Sequence, residues 1–310
     1  MTDALAPDPM ARLLAALTLS VEGEDTFAGT SLRRPGGRVF GGQVLAQALL
    51  AAGRTVPDGR LPHSLHGYFL RPGDASKPIS FAVERMRDGR SFSARRTHAY
   101  QNDRSNEPIL SMITSFQEEQ DGFEHVDPMP DVPPPSEVGS AHDLLEGIDH
   151  PLARFWIRES AFDLRHVEAP LYLRPAPVAT DHQMVWMRAR GVVPDDELMH
   201  RALLAYACDE VVLEPVMRRH GLSMATPGLS VASLDHAMWW HRPVRVDRWL
   251  LYVQSSPSAQ GGRGLAKAQI YTEAGTLVAT IAQEGMFRVP TTAAQARGPD
   301  PSTTQRWTNG

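Results

Sequence analysis

At 310 residues and 34.1 kDa, with 42% apolar residues, the chain is long enough for one large domain or two ordinary ones and can bury a real core. That apolar content excludes dominant disorder; a net charge of −5 and an isoelectric point near 6.2 argue against nucleic acid as a partner; a single cysteine excludes an internal disulfide or a cysteine zinc site. A reducing, cytoplasmic setting is the expectation this leaves.

The N-terminal stretch MTDALAPDPMARLLAALTLS lacks a basic leading region, because Asp3 and Asp8 precede Arg12, so it reads as a short amphipathic helix over 10–19 and not as a signal peptide. No run reaches the roughly 18 uncharged apolar residues of a membrane helix, so membrane insertion is not expected. An early strand over 24–33 precedes VFGGQVLAQALLAAG (39–53). This is a helix whose Val44, Leu45, Ala46, Ala48, Leu49 and Leu50 cover every side and predict burial all round, with Gly41 and Gly42 marking its start. Four strands are predicted next, at 63–71, 78–87, 91–102 and 108–117, punctuated by Pro72–Gly73, Asp88–Gly89 and Asn102–Asp103.

Residues 119–150, with Pro128, Pro130, Pro133, Pro134 and Pro135, read as an extended linker. The same order of elements then returns: an early strand at 155–168, the apolar helix DDELMHRALLAYACDEVVLEP (195–215), and strands at 230–240, 248–257, 263–273 and 276–288. HGYFLRP (66–72) parallels HAMWWHRP (236–243), and each is followed by a three-strand meander. The stretch 290–310 offers almost nothing to bury and reads as a disordered tail. The division expected is an N-terminal repeat over 1–118, a linker over 119–150, a C-terminal repeat over 151–289 and the tail. A long helix apolar on all faces and clasped by a curved antiparallel sheet is the hot-dog arrangement. The fold class is therefore α+β, a double hot-dog whose two copies pair edge to edge.

Within the second helix, Asp209 admits two readings. It belongs to a solvated stripe with Arg201 and Glu210, or it is a carboxylate held at a groove by hydrogen bonds and poised as a general base, since burial without partners costs several kcal/mol. Val231, Ser233 and Asp235 alternate onto one strand face, which sends Asp235 and His236 to opposite faces and makes them a poor acid–base pair. Gln283 is a polar residue in the apolar strand TLVATIAQEGMFR and must find partners there. Cys208 reads as a small apolar filler, with Asp209 raising its pKa. His236 and His241 have no further ligands at suitable spacing, and no metal is expected.

Together RVFGGQVLAQALLAA (38–52), LPHSLHGYFLRPGD (61–74), RDGRSFSARR (87–96), SLDHAMWWHRP (233–243) and AQEGMFR (282–288) resemble the motifs of type II acyl-CoA thioesterases, over roughly residues 10–289. The resemblance implies a cofactor-free hydrolase cleaving medium- to long-chain acyl-CoA to free fatty acid and CoA, and a homo-oligomer. It also implies a water activated by Asp209, Ser233 and Gln283, with serine where several relatives carry threonine. Gly41 and Gly42 are either oxyanion-hole donors or serve only helix–sheet packing. Arg71, Arg95, Arg96 and Arg263 are either contacts to the CoA phosphates or solvated strand ends. An enoyl-CoA hydratase of the same fold and a non-catalytic acyl-CoA-binding protein are the competing readings.

Overall fold

The computed structural model describes residues 8–101 and 107–289; the expected Asn102–Asp103 turn and the tail from Pro290 lie outside the described residues. Helix α1 (Pro9–Leu17) begins on a proline, tolerated there because the first helical N–H has no partner in any case. Its Met10, Leu13 and Leu17 are buried. The hairpin β1 (Ser20–Gly23) and β2 (Thr26–Gly29) leads through a loop to α2 (Gly41–Gly53), which is buried at every residue from Gly42 to Ala52. Its two glutamines are satisfied: Gln47 Nε2 donates to the carbonyls of Ala16 and Thr30 at 2.8 and 2.9 Å, and Gln43 Oε1 accepts from Leu32 N at 2.9 Å. These bonds tie α1 and the loop over 30–40 to the helix that opens at the site.

Strands β3 (Arg60–Phe69), β4 (Ile79–Asp88), β5 (Phe92–Tyr100) and β6 (Leu110–Glu118) complete the first half. The second half has β7 (Phe162–His166), β8 (His182–Ala189), β9 (Ser230–Ser233), β10 (Asp235–Trp240), β11 (Leu250–Gln260), β12 (Arg263–Thr272) and β13 (Leu277–Arg288). All join one antiparallel sheet in the order β1-β2-β4-β5-β6-β3-β10-β13-β12-β11-β8-β7, with β9 also on β13. The order β2-β4-β5-β6-β3 recurs as β8-β11-β12-β13-β10, so each half places its later meander between the strand before its helix and the strand after it. The halves meet where β3 runs antiparallel to β10, with Gly67 opposite His236. The sheet does not close; β1 and β7 end it. This is the expected mixed α+β architecture, a sheet wrapped around one buried helix in each half.

The second central helix differs from the expected single span. It is α5 (Glu197–Cys208), a turn over 209–213, and α6 (Glu214–Arg219). Pro215 explains the restart: it has no N–H, and its ring would meet the carbonyl four residues back, so it is tolerated only in the first turn of a new helix. Asp209 is thereby the C-cap of α5 and not a mid-helix residue. The strand expected over 155–168 is instead α4 (Pro151–Arg158), with Pro151 at its start and the His150 ring accepting from Leu152 N at 3.2 Å, followed by β7. Helices α2 and α5 are antiparallel neighbours, Gly42 lying against Tyr206 at one end and Gly53 against Leu198 at the other.

The segment 119–150 lacks regular structure up to Pro134, then forms a 3-10 turn (Pro135–Glu137) and α3 (Ala141–Leu145). Met129, Val132 and Val138 pack on Trp186, Leu251 and Tyr271, the sheet face turned away from α5, and Trp186 Nε1–H donates to Pro133 O at 3.0 Å. Among the described residues no helix is long and apolar enough to cross a membrane.

Candidate active site

Ending α5 at Cys208 leaves the Asp209 carboxylate at the end of the helix, facing the start of α2 and the end of β9. Its Oδ1 accepts from Ser233 Oγ at 3.0 Å and from Gln283 Nε2 at 2.7 Å, and its Oδ2 accepts from the Gly42 backbone N–H at 2.8 Å. Gln283 Nε2 also donates to Ser233 Oγ at 2.8 Å. Asp209, Ser233, Gln283 and Gly42, drawn from α5, β9, β13 and α2, therefore form one connected group. Gln283 is fully buried, while Asp209 and Ser233 are half-buried.

Close approach of α2 makes this possible. A β-carbon on Gly42 would lie 2.4 Å from the Tyr206 carbonyl oxygen, and one on Gly41 would lie 2.7 Å from Asp209 Oδ2. Gly42 thus packs against a second helix, where helix–sheet packing was the expectation, and Gly41 lies against both Asp209 and Phe69 of β3. Of the two backbone donors, that of Gly42 is engaged by Asp209. The Gly41 N–H opens the helix and has no carbonyl a turn earlier to donate to.

Asp209 and Ser233 line a cavity of about 610 Å³. Its walls also include the apolar Leu213, Met217, Met224, Leu229, Val231 and Met286, and the exposed Arg38 and Arg71. Among the described residues no cluster of three or more His, Cys, Asp or Glu side chains is arranged to hold a metal ion.

The family described as acyl-CoA thioesterase matches residues 167–286, and the acyl-CoA thioesterase N-terminal domain matches residues 30–117. Acyl-CoA thioesterase 2 of Haemophilus influenzae is 36% identical over 91% of this chain and 98% of its own. The chain belongs to the acyl-CoA thioesterase family. Acyl-coenzyme A thioesterase 8 of Homo sapiens is 35% identical over 94% of each chain. The crystal structure of an acyl-CoA thioesterase II from Mycobacterium marinum shares 41% identity and a TM-score of 0.72 over 90% of this chain and 98% of that one. A protein with a hot-dog fold from Alicyclobacillus acidocaldarius, 22% identical with a TM-score of 0.73, shares the fold.

Within this thioesterase family member the other residues singled out by sequence separate clearly. Arg95 is fully buried, donating to Thr55, to the carbonyls of Arg87 and Ala94, and to Asp88, so it is not available to a phosphate. Arg96 pairs with Glu84 and Arg263 with Glu284, at 3.0 and 3.1 Å. Arg71 lines the cavity; Arg38, which sequence reading passed over, does so too. Cys208 is buried, and burial followed by the neighbouring Asp209 charge pushes its thiol well above the usual range.

The solvated stripe of Arg201, Asp209 and Glu210 does not exist. Arg201 is buried, with Nε on Glu197 at 2.8 Å and Nη1 on Pro62 O at 2.6 Å. Glu210 is ion-paired with Arg34, whose Nη2 also donates to Tyr206 Oη at 2.7 Å and whose guanidinium lies 3.6 Å from the centre of the Phe40 ring. Burial pushes the Tyr206 hydroxyl up to about 12. Arg34 thus clamps the loop before α2 onto the end of α5. No local pattern marks this pair, because its partners are 176 residues apart.

Proposed function

We propose that the chain hydrolyses medium- to long-chain acyl-CoA to free fatty acid and CoA, with Asp209 as general base and Ser233 and Gln283 holding it. The observation that carries the reading is the convergence of three donors on one carboxylate at the cavity wall. A carboxylate has about four acceptor positions, two on each oxygen. Oδ1 is filled by Ser233 and Gln283, and Oδ2 takes the Gly42 N–H, which leaves one position on Oδ2. A water donating there is held for attack on the thioester carbonyl carbon.

In this geometry the Ser233 hydroxyl proton and one Gln283 amide proton point at Asp209 Oδ1 and the other amide proton at Ser233 Oγ, so they orient the carboxylate that orients the water. Attack passes the water proton to Asp209 and builds negative charge on the carbonyl oxygen. The Gly41 N–H, at the positive end of α2, is the donor suited to that charge. Collapse of the tetrahedral intermediate breaks the carbon–sulfur bond, and Asp209 returns the proton to the departing CoA sulfur.

The apolar lining, Leu213, Met217, Met224, Leu229, Val231 and Met286, suits an alkyl chain, each buried methylene contributing roughly 0.8 kcal/mol, and methionines adapt to several chain lengths. Arg38 and Arg71, exposed in the same lining, are the cations suited to CoA phosphates. Self-association is supported by the outer face of β3 and β6, where Tyr68 and Ile113 are exposed and, among the described residues, no counterpart of the 119–150 segment packs. Light scattering on the purified chain tests it.

Release of free CoA thiol from C4 to C18 acyl-CoA tests the function. Turnover rising from C4 into the C8–C16 range is the expected result. Saturable binding without thiol release, or loss of the enoyl absorbance of crotonyl-CoA in its place, contradicts it.

A further inference from the structure

We infer that His236 is a positioning residue for the reaction: its Nδ1–H fixes the Gln283 side-chain amide in the one orientation that lets it donate to Asp209 and Ser233. The inference rests on the reading of those three residues as the water-activating group.

The argument runs outward from the carboxylate. An ionised Asp209 only accepts, so the end of the Gln283 amide facing it, at 2.7 Å from Oδ1, must be the nitrogen. The amide oxygen then faces the other way, onto His236 Nδ1. An oxygen there needs a donor, so Nδ1 carries the proton. The tautomer of a buried histidine is thus dictated by a carboxylate two residues along the hydrogen-bond chain. The Nε2 of His236 is buried and makes no hydrogen bond among the described residues. As a bare ring nitrogen it forgoes one acceptor contact, whereas an N–H at that place would be an orphaned donor.

Without the imidazole, the Gln283 amide oxygen loses its donor and only the carboxylate end still restrains the amide. A half-turn about the terminal bond would present oxygen to carboxylate, which repels, and would strip Asp209 and Ser233 of a shared donor. The backbone explains why His236 can reach Gln283 at all. Simple alternation sends Ser233 and His236 to opposite faces. Leu234 interrupts the strand, however, and the two ladders on β13 are out of step by one residue: Ser233 lies opposite Gly285, while Ala237 lies opposite Ala282. That offset turns both side chains toward Gln283.

Steady-state kinetics on His236→Phe, His236→Asn, Gln283→Ala and the Phe/Ala double variant test the inference. Phe fills the ring site but donates nothing; the Asn amide nitrogen restores a donor near the Nδ1 position. Expected are a kcat at least tenfold lower in His236→Phe with KM within about twofold, substantial recovery in His236→Asn, and no further loss from His236→Phe once Gln283 is Ala. Wild-type kcat in His236→Phe alongside a crippled Gln283→Ala overturns the positioning role, as do losses that simply multiply in the double variant. Wild-type kcat in Gln283→Ala overturns the underlying reading of the site instead. Should His236→Phe fail to fold, ¹⁵N NMR of the wild-type imidazole decides: protonated Nδ1 with bare Nε2 is expected, and protonation at Nε2 alone overturns the proposal.

Discussion

Gln283 Nε2 donates to Asp209 Oδ1 at 2.7 Å across 74 residues of sequence, joining the last strand of the sheet to the residue that ends its second central helix. Asp209 caps α5 where the helix end meets β13 and the end of β9, so one carboxylate oxygen takes both Gln283 and Ser233.

The Arg34–Glu210 clamp should be among the most stabilising polar contacts, since their side chains are only 15% and 4% exposed. Arg34→Ala leaves a buried carboxylate unpaired and is expected to cost about 3–5 kcal/mol in urea unfolding. Arg34→Lys should recover little of it, because an ammonium cannot serve Tyr206 and both Glu210 oxygens in one fork.

Gly42→Ala places a methyl group 2.4 Å from the Tyr206 carbonyl, a backbone atom that cannot swing aside. Separation of α2 from α5 is expected, with a loss of about 1–3 kcal/mol in thermal unfolding. Activity should fall with it, because the displaced N–H is the one that Asp209 Oδ2 accepts.

Cys208, although next to Asp209 in sequence, shares no chemistry with it. Its thiol contacts Tyr252 and is shielded from solvent. Cys208→Ser should retain kcat within about twofold of wild type, its hydroxyl taking over the Tyr252 contact. A thiol-reactive dye should label the native protein only after unfolding, because both burial and the raised pKa keep the thiolate scarce.

Asp88 reports on pH. Hydrogen bonds from Ser93 and then Arg95 hold its carboxyl below the usual range. A depressed folded pKa stabilises the protein above the unfolded value of about 3.9 and ceases to do so as pH falls through the lower folded value. Asp88→Asn is therefore expected to lower stability at pH 7 by about 1–2 kcal/mol, less than for a fully buried pair because Asp88 is 42% exposed. The gap between wild type and variant should narrow progressively as pH falls below about 3.9, as read from thermal midpoints across a pH series.

The architecture was legible in the sequence because all-round burial of a helix and the period-2 meanders are local signals, and both occur twice in the same order. Legibility failed where a single residue redirected the chain. Pro215 splits the second helix and Leu234 offsets two strand ladders, and neither effect is visible to a window average. Asp209, Ser233 and Gln283 could be picked out as polar residues in apolar surroundings. His236 could not, since strict alternation placed it on the wrong face, and Glu210 looked solvated because its partner Arg34 lies in the other half.

The most direct test of the account is the turnover of Asp209→Asn on a saturating long-chain acyl-CoA, followed by CoA thiol release with folding checked by circular dichroism. The amide is nearly isosteric but cannot take a proton from water. A fall in kcat of about 10²–10⁴-fold at little-changed KM is predicted. Turnover within a few-fold of wild type in a correctly folded variant would contradict the assignment of Asp209 as the base.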